Sequence, residues 1–442
     1  MKLKNKKIAV LGSARSGLAA ARKAKKHGAK VFISECKEKA DLENASQLEK
    51  EFSCEFGGHT EEILKNEIIV VSPGVPTTLP VLQKAKQKQL EVMSEIEFAY
   101  RLKHKNSKII AVTGSNGKST TVSLIAAILE NSGYKTILAG NIGNAFSAFP
   151  IEEEGIDFIV LELSSFQLEL LQKFKADVAA VLNITPDHLN RYENFQDYAL
   201  TKFNIFKNQD KKYIAVLNFD DHFCRKQADN LKAELKFFSL QKQKDIFFQN
   251  NKIYWENTEL DISQAKLQGP HNVANIMAAI LCTQKFDIKN LEDTILNFSP
   301  LQHRLEKVAE IHGISFINDS KATNTESVKY ALQSFQRPIR IIMGGRGKGE
   351  DYSVLNKLLK KHVCKAYLIG EEAEQIRKAI AAWVDTTKYD SFSQAIKTAF
   401  LESKKGDVVL LSPACTSYDM FQNFEERGQA FKKVVKELED EQ

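Results

Sequence analysis

The stretch AVTGSNGKSTT, residues 111–121, combines residue types that bind phosphate groups. Glycines let backbone N–H groups approach phosphate oxygens, and the helix predicted to follow would direct its positive N-terminal end toward them. Lys118 would reach the outer phosphates, and Ser119 or Thr120 could ligate Mg²⁺. Val112 stands where the full G-x-x-x-x-G-K-[ST] pattern has its first glycine, so the match is partial. We favour phosphate binding over a glycine-rich turn with a surface lysine. The residues predicted to contact the nucleotide here are Gly114, Ser115, Asn116, Gly117, Lys118, Ser119 and Thr120.

Three other polar segments follow apolar runs. Glu162 ends one such run, where an ionised carboxylate is costly unless it is paired or metal-bound, and we favour a Mg²⁺ ligand over a salt-bridged glutamate. His188 follows NITPD and reads equally well as a metal-site group or a structural histidine. The loop GSARSG, residues 12–17, lacks the G-x-G-x-x-G spacing of a nicotinamide site, so a diphosphate cradle and a tight turn stay open.

The elements that must position these groups are predicted by short runs rich in Ile and Val. Continuous apolarity indicates strands buried on both faces, and helical patterns between the runs indicate parallel sheets. The predicted fold class is therefore α/β, with ligand sites at the carboxyl ends of the strands. The runs are residues 8–11, 68–71, 109–112, 158–163, 178–182, 214–217, 339–343, 367–369 and 408–411.

Composition favours a soluble globular protein, which we expect to be cytoplasmic. The chain has 442 residues, 43% of them hydrophobic, and a formal net charge of +6 with dispersed lysines, which suits anionic small molecules better than nucleic acid. Its six cysteines show no metal-site spacing. The basic N-terminus has an apolar stretch of about five residues, too short for a signal peptide, and no run is long enough to span a membrane.

Two polar segments predict domain boundaries. A helix pattern stops before the basic linker at residues 101–108, and another stops near Pro300, because proline disfavours helix at the preceding residue. We therefore expect three domains, at residues 1–104, 105–300 and 301–442.

Taken together, the motifs resemble the Mur ligases over almost the whole chain and in the expected order. They are TGSNGKST, GNIG, LELSSFQL, NITPDHLNRY, TKFNIF, GPHNVANIMAA, QHRLE, NDSKATNTES, GGRGKG and LLSPACTSYDMFQNFEERGQAF. The segments DSKATN and SPACTSYDMFQNFEERG distinguish the branch that adds D-glutamate. The resemblance implies a Rossmann-like N-terminal domain that binds the UDP-sugar, a central P-loop-type domain that binds ATP, and a Rossmann-like C-terminal domain that binds the amino acid.

That resemblance also implies a reaction. ATP would phosphorylate the L-alanine carboxylate of UDP-N-acetylmuramoyl-L-alanine, and the D-glutamate amine would displace phosphate through a tetrahedral intermediate. Such a site needs fixed positive charge and Mg²⁺, with two metal sites expected, because a carboxylate must approach a polyphosphate of the same sign. The expected partners are these small molecules, without nucleic acid or membrane, and the expected state is a monomer.

Residue roles follow by resemblance alone. The implied catalytic residues are Lys118, Glu162, His188, Lys202 and Lys348, and the implied metal ligands are Ser119, Glu162, His188 and Lys202 as a carbamate. The implied adenosine contacts are Asn275, His303, Arg304 and Asp319. The implied UDP-sugar contacts are Ser13, Ala14, Arg15, Ser34, Glu35, Ser72, Gly74 and Asn141. The implied D-glutamate contacts are Lys321, Thr323, Lys348, Ser417 and Phe424.

Several of these residues have an ordinary alternative. Phe424 belongs to a helical apolar stripe that spacing alone would assign to the core. Asn275 could cap a core helix, and Lys202 could be a solvated surface lysine. Three rival functions also stay open: a ligase that adds a different amino acid, a nucleotide-binding protein without acyl transfer, and a nicotinamide oxidoreductase.

Overall fold

The computed structural model describes residues 1–187, 191–299 and 302–441, and its internal contacts divide the chain into two compact units. The first unit comprises Met1–Ile184, Gln196–Gln264 and Val273–Leu296, and the second comprises Thr185–Phe195, Ala265–Asn272 and Asn297–Gln442. Among the described residues, no helix has both the length and the apolarity that crossing a membrane would require. The division into three domains stays a prediction.

A parallel five-stranded sheet forms the N-terminal part of the first unit, in the order β3-β2-β1-β4-β5. Its strands are β1 (Lys7–Leu11), β2 (Lys30–Ser34), β3 (Ser53–Glu55), β4 (Ile68–Val71) and β5 (Glu91–Ser94). Its helices are α1 (Arg15–Lys26), α2 (Ala45–Glu51), α3 (Pro80–Gln87) and α4 (Glu95–Tyr100). Apolar clusters cover both faces, so β1 and β4 are wholly buried apart from Lys7. Strand order reverses at β1, which places the loops after β1 and β4 side by side.

The second sheet has nine strands in the order β14-β13-β12-β11-β10-β9-β6-β8-β7. They are β6 (Lys108–Thr113), β7 (Thr136–Gly140), β8 (Phe158–Glu162), β9 (Val178–Val181), β10 (Ile214–Asn218), β11 (Glu234–Ser239), β12 (Ile246–Gln249), β13 (Lys252–Trp255) and β14 (Thr258–Asp261). The pairs from β7 to β12 are parallel, and β13 and β14 add an antiparallel edge. The helices of this region are α5 (Lys118–Asn131), α6 (Ser165–Leu168), α7 (Phe195–Phe203), α8 (His222–Ala228), α9 (Pro270–Thr283) and α10 (Leu291–Asn297).

The second unit contains a six-stranded sheet in the order β15-β16-β20-β17-β18-β19. Its strands are β15 (Glu306–Ile311), β16 (Ile314–Asn318), β17 (Ile339–Gly344), β18 (Val363–Ile369), β19 (Asp385–Lys388) and β20 (Val408–Leu411). Its helices are α11 (Thr325–Gln333), α12 (Asn356–His362), α13 (Ala373–Ile380), α14 (Phe392–Leu401) and α15 (Phe424–Asp440). Only the β15–β16 pair of this sheet is antiparallel, and apolar clusters pack on both faces.

The predicted α/β class with mostly parallel sheets is confirmed, and each of the nine apolar runs lies on a strand. Helix α10 ends at Asn297, close to the predicted break, while Pro300 itself lies outside the described residues. One element begins earlier than predicted. The helix expected over residues 121–129 starts at Lys118, so Lys118 and Ser119 belong to its first turn.

A buried carboxylate joins the first sheet to the segment that follows β7. Glu95 is only 1% exposed, and its Oε1 accepts a hydrogen bond from the backbone N–H of Ser147 at 2.5 Å. Its Oε2 has no hydrogen-bond partner among the described residues. Because burial disfavours the charged form, the pKa of Glu95 is raised to about 7.

Replacing this carboxylate should change how stability depends on pH. Between the ordinary glutamate pKa and about 7, the unfolded chain has lost the proton that folded Glu95 keeps, so stability falls as pH rises through this window. We expect Glu95→Gln to remove this loss and to gain about 3 kcal/mol relative to the unsubstituted protein between about pH 4.5 and 8. Urea denaturation across that range measures it, with the exposed Glu154→Gln as control. If the free energies of unfolding of the unsubstituted protein and of Glu95→Gln change in parallel across this pH range, the raised pKa of Glu95 is contradicted.

Candidate active site

The loop after β6 forms a cradle that only glycine can line. Gly114 and Gly117 have φ angles of 152° and 86°, in the region that disfavours side chains. A Cβ atom on Gly117 would lie 2.3 Å from the Oδ1 atom of Asn275, a buried residue of α9. A side chain at Gly117 would therefore clash with Asn275, so this turn requires glycine, as loops that bind phosphate at a helix N-terminus commonly do.

Two lysines converge on the same loop. The Nζ atom of Lys118 donates to the carbonyl oxygens of Gly114 and Ser115 at 2.8 and 2.7 Å. The Nζ atom of Lys202 donates to the Gly114 carbonyl at 3.0 Å, and it lies 4.8 Å from the ring centre of Tyr198. Lys202 is 2% exposed, so it is not a solvated surface lysine. Lys118 and Lys202 therefore share one carbonyl acceptor in this loop, and their roles in phosphate and metal binding stay predictions.

A buried carboxylate at the end of β8 contacts the first turn of α5. Glu162 is 1% exposed, and its Oε2 accepts from the Ser119 hydroxyl at 2.6 Å while its Oε1 accepts from the Asn141 side chain at 2.7 Å. The hydroxyl of Thr120 is buried without a partner among the described residues. These are the oxygen donors that Mg²⁺ prefers, so the residues fit this metal.

Across the described part of the chain, no group of three or more His, Cys, Asp or Glu side chains could hold a metal ion. Mg²⁺ usually binds one or two carboxylates and completes its shell with phosphate oxygens and water. His188, the other predicted ligand, lies outside the described residues.

Residues that sequence reasoning assigned no role hold the loop in place. Asn183, just after β9, accepts two hydrogen bonds from the loop, both at 2.9 Å. Its backbone carbonyl accepts from the N–H of Ser115, and its side-chain Oδ1 accepts from the N–H of Asn116. The hydroxyl of Tyr198 lies 3.0 Å from the Ser115 hydroxyl. The signal for Asn183 was its position after a strand that neighbours β6, since adjacent parallel strands end together.

The loop after β1 is tied to the residue that follows β2. Both the backbone N–H and the hydroxyl of Ser13 donate to the Oε2 atom of Glu35 at 2.7 Å. Burial alone would raise the pKa of Glu35, but hydrogen bonds from Ser13, Lys37 and Cys36 outweigh it and hold the pKa below its ordinary value. The carboxylate is therefore ionised and already fixes this loop.

The other residues predicted to contact the UDP-sugar do not all lie together in the structure. Ser72 donates from its hydroxyl to the Gly12 carbonyl at 3.2 Å, so the loops after β1 and β4 meet. The Ser34 hydroxyl instead contacts Glu55 at 2.5 Å and His59 at 2.7 Å. The exposed residues Ala14 and Arg15 stand at the start of α1, and Gly74 lies in the loop after β4. Asn141 lies apart from this group, at the Glu162 carboxylate described above.

In the second unit, Asp319 follows β16 at the carboxyl edge of the sheet. It is 4% exposed, its Oδ2 accepts from the Ser412 hydroxyl at 2.9 Å, and its Oδ1 accepts from the Leu305 backbone N–H at 3.2 Å. Burial raises the pKa of Asp319 to about 7, although Arg304 and these hydrogen bonds act in the opposite direction. A ligand with hydroxyl donors could supply the further hydrogen bonds that the charged form needs.

Three predicted residues gather around the start of α15. The ring of Phe424 lies 6.3 Å from the ring of His303, edge to face, and 5.1 Å from the Lys321 ammonium. His303 is held by the Asn318 side chain at 2.9 Å. Phe431 and other members of the apolar stripe are buried in the core, but Phe424 is only partly buried and is not in that cluster. Spacing alone would therefore have misassigned Phe424.

A buried arginine braces two loops that carry predicted residues. The guanidinium of Arg427 is fully buried and donates to the hydroxyl and the carbonyl of Ser320, and to the carbonyls of Cys415 and Thr416, at 2.7–3.2 Å. Burial lowers the pKa of Arg427 to about 10, which still leaves it protonated at neutral pH. Sequence reasoning missed this residue because one arginine in a helix carries no spacing signal.

The loop that carries Lys348 is held against the loop that carries Ser417. Arg346 and Thr416 exchange backbone hydrogen bonds of 3.0 Å, which fixes the Lys348 loop to the Ser417 loop. The Nζ atom of Lys348 lies 3.4 Å from the Oδ1 atom of Asp187. Ser417 is 2% exposed. Thr323 lies between β16 and α11, where its N–H donates to the Lys321 carbonyl.

Three family models match this chain. The Mur ligase MurD-like N-terminal domain matches residues 6–94, the Mur ligase middle domain matches residues 112–283, and the Mur ligase glutamate ligase domain matches residues 303–415. Solved structures share the fold. The UDP-N-acetylmuramate-alanine ligase of Thermotoga maritima aligns with a TM-score of 0.64 and 18% identity, over 99% of this chain and 100% of that chain. The MurF ligase of the same organism, in complex with ADP, aligns with a TM-score of 0.63 and 18% identity, over 98% and 96%.

Curated relatives match from end to end. Three of them are named UDP-N-acetylmuramoylalanine--D-glutamate ligase. The protein of Koribacter versatilis is 37% identical, with full coverage of both chains, and that of Salinibacter ruber is 39% identical over 97% of each. The protein of Geotalea uraniireducens is 40% identical over 100% of this chain and 99% of its own. By these matches, and by the phosphate loop and carboxylate that the structure brings together, the chain belongs to the Mur ligase family.

Proposed function

We propose that the protein is an ATP-dependent ligase that adds D-glutamate to UDP-N-acetylmuramoyl-L-alanine in peptidoglycan synthesis, releasing ADP and phosphate. The observation that carries the proposal is the end-to-end similarity, at 37–40% identity, to relatives named for this activity. The phosphate cradle at Gly114 and Gly117 supports it, because this chemistry consumes a nucleoside triphosphate. We propose that it acts on these small molecules in the cytoplasm, as a monomer.

The nucleotide is proposed to bind at the start of α5. The loop N–H groups and Lys118 would hold the outer phosphates, Asn275 would contact the base, and Asp319 would accept from the ribose hydroxyls. His303 and Arg304 would contact adenosine. Bound Mg²⁺ would offset the repulsion between the phosphates and the incoming carboxylate. Ser119, Glu162 and a carbamylated Lys202 would hold it, together with His188, and two such sites are proposed.

The Lys202 ammonium must lose a proton before this side chain can be carbamylated. Its Nζ now donates to the Gly114 carbonyl, so CO₂ can add only after the ammonium has lost a proton. CO₂ then adds to the neutral amine, which forms an N–C bond and releases a second proton. The conversion of the ammonium into a carbamate anion therefore releases two protons to solvent in total.

The acceptor end is proposed to use the second unit. Lys321, Thr323, Lys348 and Ser417 would bind the carboxylates of D-glutamate or the transferring phosphate, since cations and hydroxyls at loop ends suit these anions. Phe424 would pack against the carbon chain. In the first unit, Ser13, Ala14, Arg15, Ser72 and Gly74 would contact the diphosphate and sugar nucleotide, Glu35 and Ser34 would stand at the uracil end, and Asn141 would approach the L-alanine end.

Product analysis tests the activity itself. With ATP, Mg²⁺, UDP-N-acetylmuramoyl-L-alanine and D-glutamate, we expect ADP, phosphate and a sugar nucleotide heavier by one glutamyl residue, resolved by mass spectrometry. L-Glutamate and other amino acids serve as controls. Turnover with another amino acid, and none with D-glutamate, would assign the chain to a different acceptor.

Charge removal tests the proposed phosphate contacts. Loss of one preorganised donor to a developing anion typically costs about 2.7 to 4 kcal/mol, a factor of about 10² to 10³ in kcat. We expect Lys118→Ala and Lys348→Ala each to reduce phosphate release by this factor. The exposed Lys135→Ala, which removes an equal charge from the first unit, should leave it unchanged. If both site variants keep their turnover, the assignments fail.

Arg427→Lys tests whether the two braced loops form the acceptor site. Lysine keeps the charge but cannot reach four acceptors at once, and one lost hydrogen bond from a charged donor costs about 1.5 to 3 kcal/mol. We expect the KM for D-glutamate to rise about tenfold or more, with the KM for ATP nearly unchanged. Arg377→Lys, at an exposed ion pair of the same unit, is the control. Equal rises in the KM values for D-glutamate and ATP would indicate that the substitution disturbs the structure in general and not the acceptor site in particular.

A further inference from the structure

A groove of about 490 Å³ runs along helix α1, beside the short 3₁₀ helix Phe146–Ala148. We call it the α1 groove. Arg15, Arg22 and Lys26 line it at intervals of seven and four residues, which places them on one face of the helix over about 16 Å. None of its lining residues, all of which lie in the described part of the chain, is acidic. Together with Lys23 these make four basic side chains, and their two acidic partners, Glu51 and Glu152, leave the α1 groove with a net positive charge.

Two of these cations have acidic partners outside the groove lining. Arg22 pairs with Glu51 through two nitrogen atoms, Nε and Nη2, each at 3.0 Å, and Lys26 pairs with Glu152 at 3.4 Å. The two cationic side chains are 48% and 64% exposed, so solvent and salt screen both pairs, and a ligand with a doubly charged group could compete with the two carboxylates. Lys23 differs, because it is buried and fixed by Glu152 at 2.7 Å.

The opposite wall combines an apolar surface with a buried hydroxyl. Leu18 on the helix faces a wall that includes Ala148 and Pro150, which gives the groove an apolar middle section. Ser147 also lines it and is 2% exposed. Its hydroxyl is close enough to Glu95 to act against the rise in the pKa of that carboxyl, but it meets no partner with full hydrogen-bond geometry among the described residues. A buried hydroxyl without a partner is costly, and a ligand's oxygen atom could satisfy it.

The geometry points to a second anion site, in which the α1 groove binds a small phosphomonoester whose ring or other apolar part lies against Leu18 and Pro150. Charge-assisted hydrogen bonds from Arg22 and Lys26 would hold the phosphate, and the apolar wall would select a phosphate ester over a free phosphate ion. The site is separate from the phosphate loop after β6. It borders the predicted UDP-sugar residues only through Arg15.

Phenyl phosphate is a suitable probe, because it carries the required groups and is neither a nucleotide nor a substrate. We expect calorimetric titration to give a dissociation constant of about 0.1 to 1 mM. Arg22→Ala combined with Lys26→Ala should weaken binding at least tenfold. Ala148→Trp, at an exposed position, should do the same by filling the groove. The control Lys50→Ala with Lys88→Ala removes two exposed cations elsewhere in the same unit and should bind as the unsubstituted protein does.

Each alternative outcome has a definite meaning. Equal losses in the control and the groove variants would show nonspecific attraction to a cationic surface and would overturn the site. Inorganic phosphate binding as tightly as phenyl phosphate would overturn the ester specificity, and an absence of binding at about 10 mM would overturn both. Amide shifts confined to α1 and the segment around Ser147 in a TROSY spectrum would support the location. These measurements need neither ATP nor the UDP-sugar, so they are independent of the proposed ligase activity.

Discussion

The carboxyl ends of parallel strands meet at one edge of a sheet, and each group of candidate residues in this chain is built on such an edge. In the first unit, β6, β8 and β9 end beside one another, so the phosphate loop, Glu162 and Asn183 are brought together from distant parts of the sequence. In the second unit, β16, β17 and β20 are neighbours, and the loops after them carry Asp319 and the Lys348 and Ser417 segments. The chemistry depends on this geometry.

This constraint explains why much of the fold could be predicted from the sequence. Strands buried on both faces have continuous apolar runs, and each of the nine predicted runs lies on a strand. Strands with mixed patterns gave no such signal. The strands β12, β13 and β14 each bury only one residue fully, and β7 includes a threonine at its start and a glycine at its end. Their places in the sheet are set by tertiary pairing instead of local sequence.

Candidate residues were predictable where a type and a spacing coincide, as in the Gly-Lys-Ser segment. The residues that hold them were not. Arg427 acts through backbone carbonyls, and any residue can present a carbonyl, so its partners leave no trace in the sequence. Phe424 shows the opposite problem, because it shares the helical spacing of core residues but lies beside Lys321 and His303. Only the bend of the chain at the start of α15 separates it from the core.

Burial acts on three carboxylates of this chain with different results, because the depth of burial and the number of hydrogen-bond donors both differ among them. Glu35 receives bonds from Ser13, Lys37 and Cys36, and its pKa lies below the ordinary value. Glu95 receives one backbone bond and Asp319 receives two bonds, and the pKa of each rises to about 7. A carboxylate that already accepts many hydrogen bonds within the protein has little capacity left for a ligand, whereas one that accepts few can still accept hydrogen bonds from a ligand. By this criterion Asp319 is better prepared than Glu35 to receive donors from a ligand.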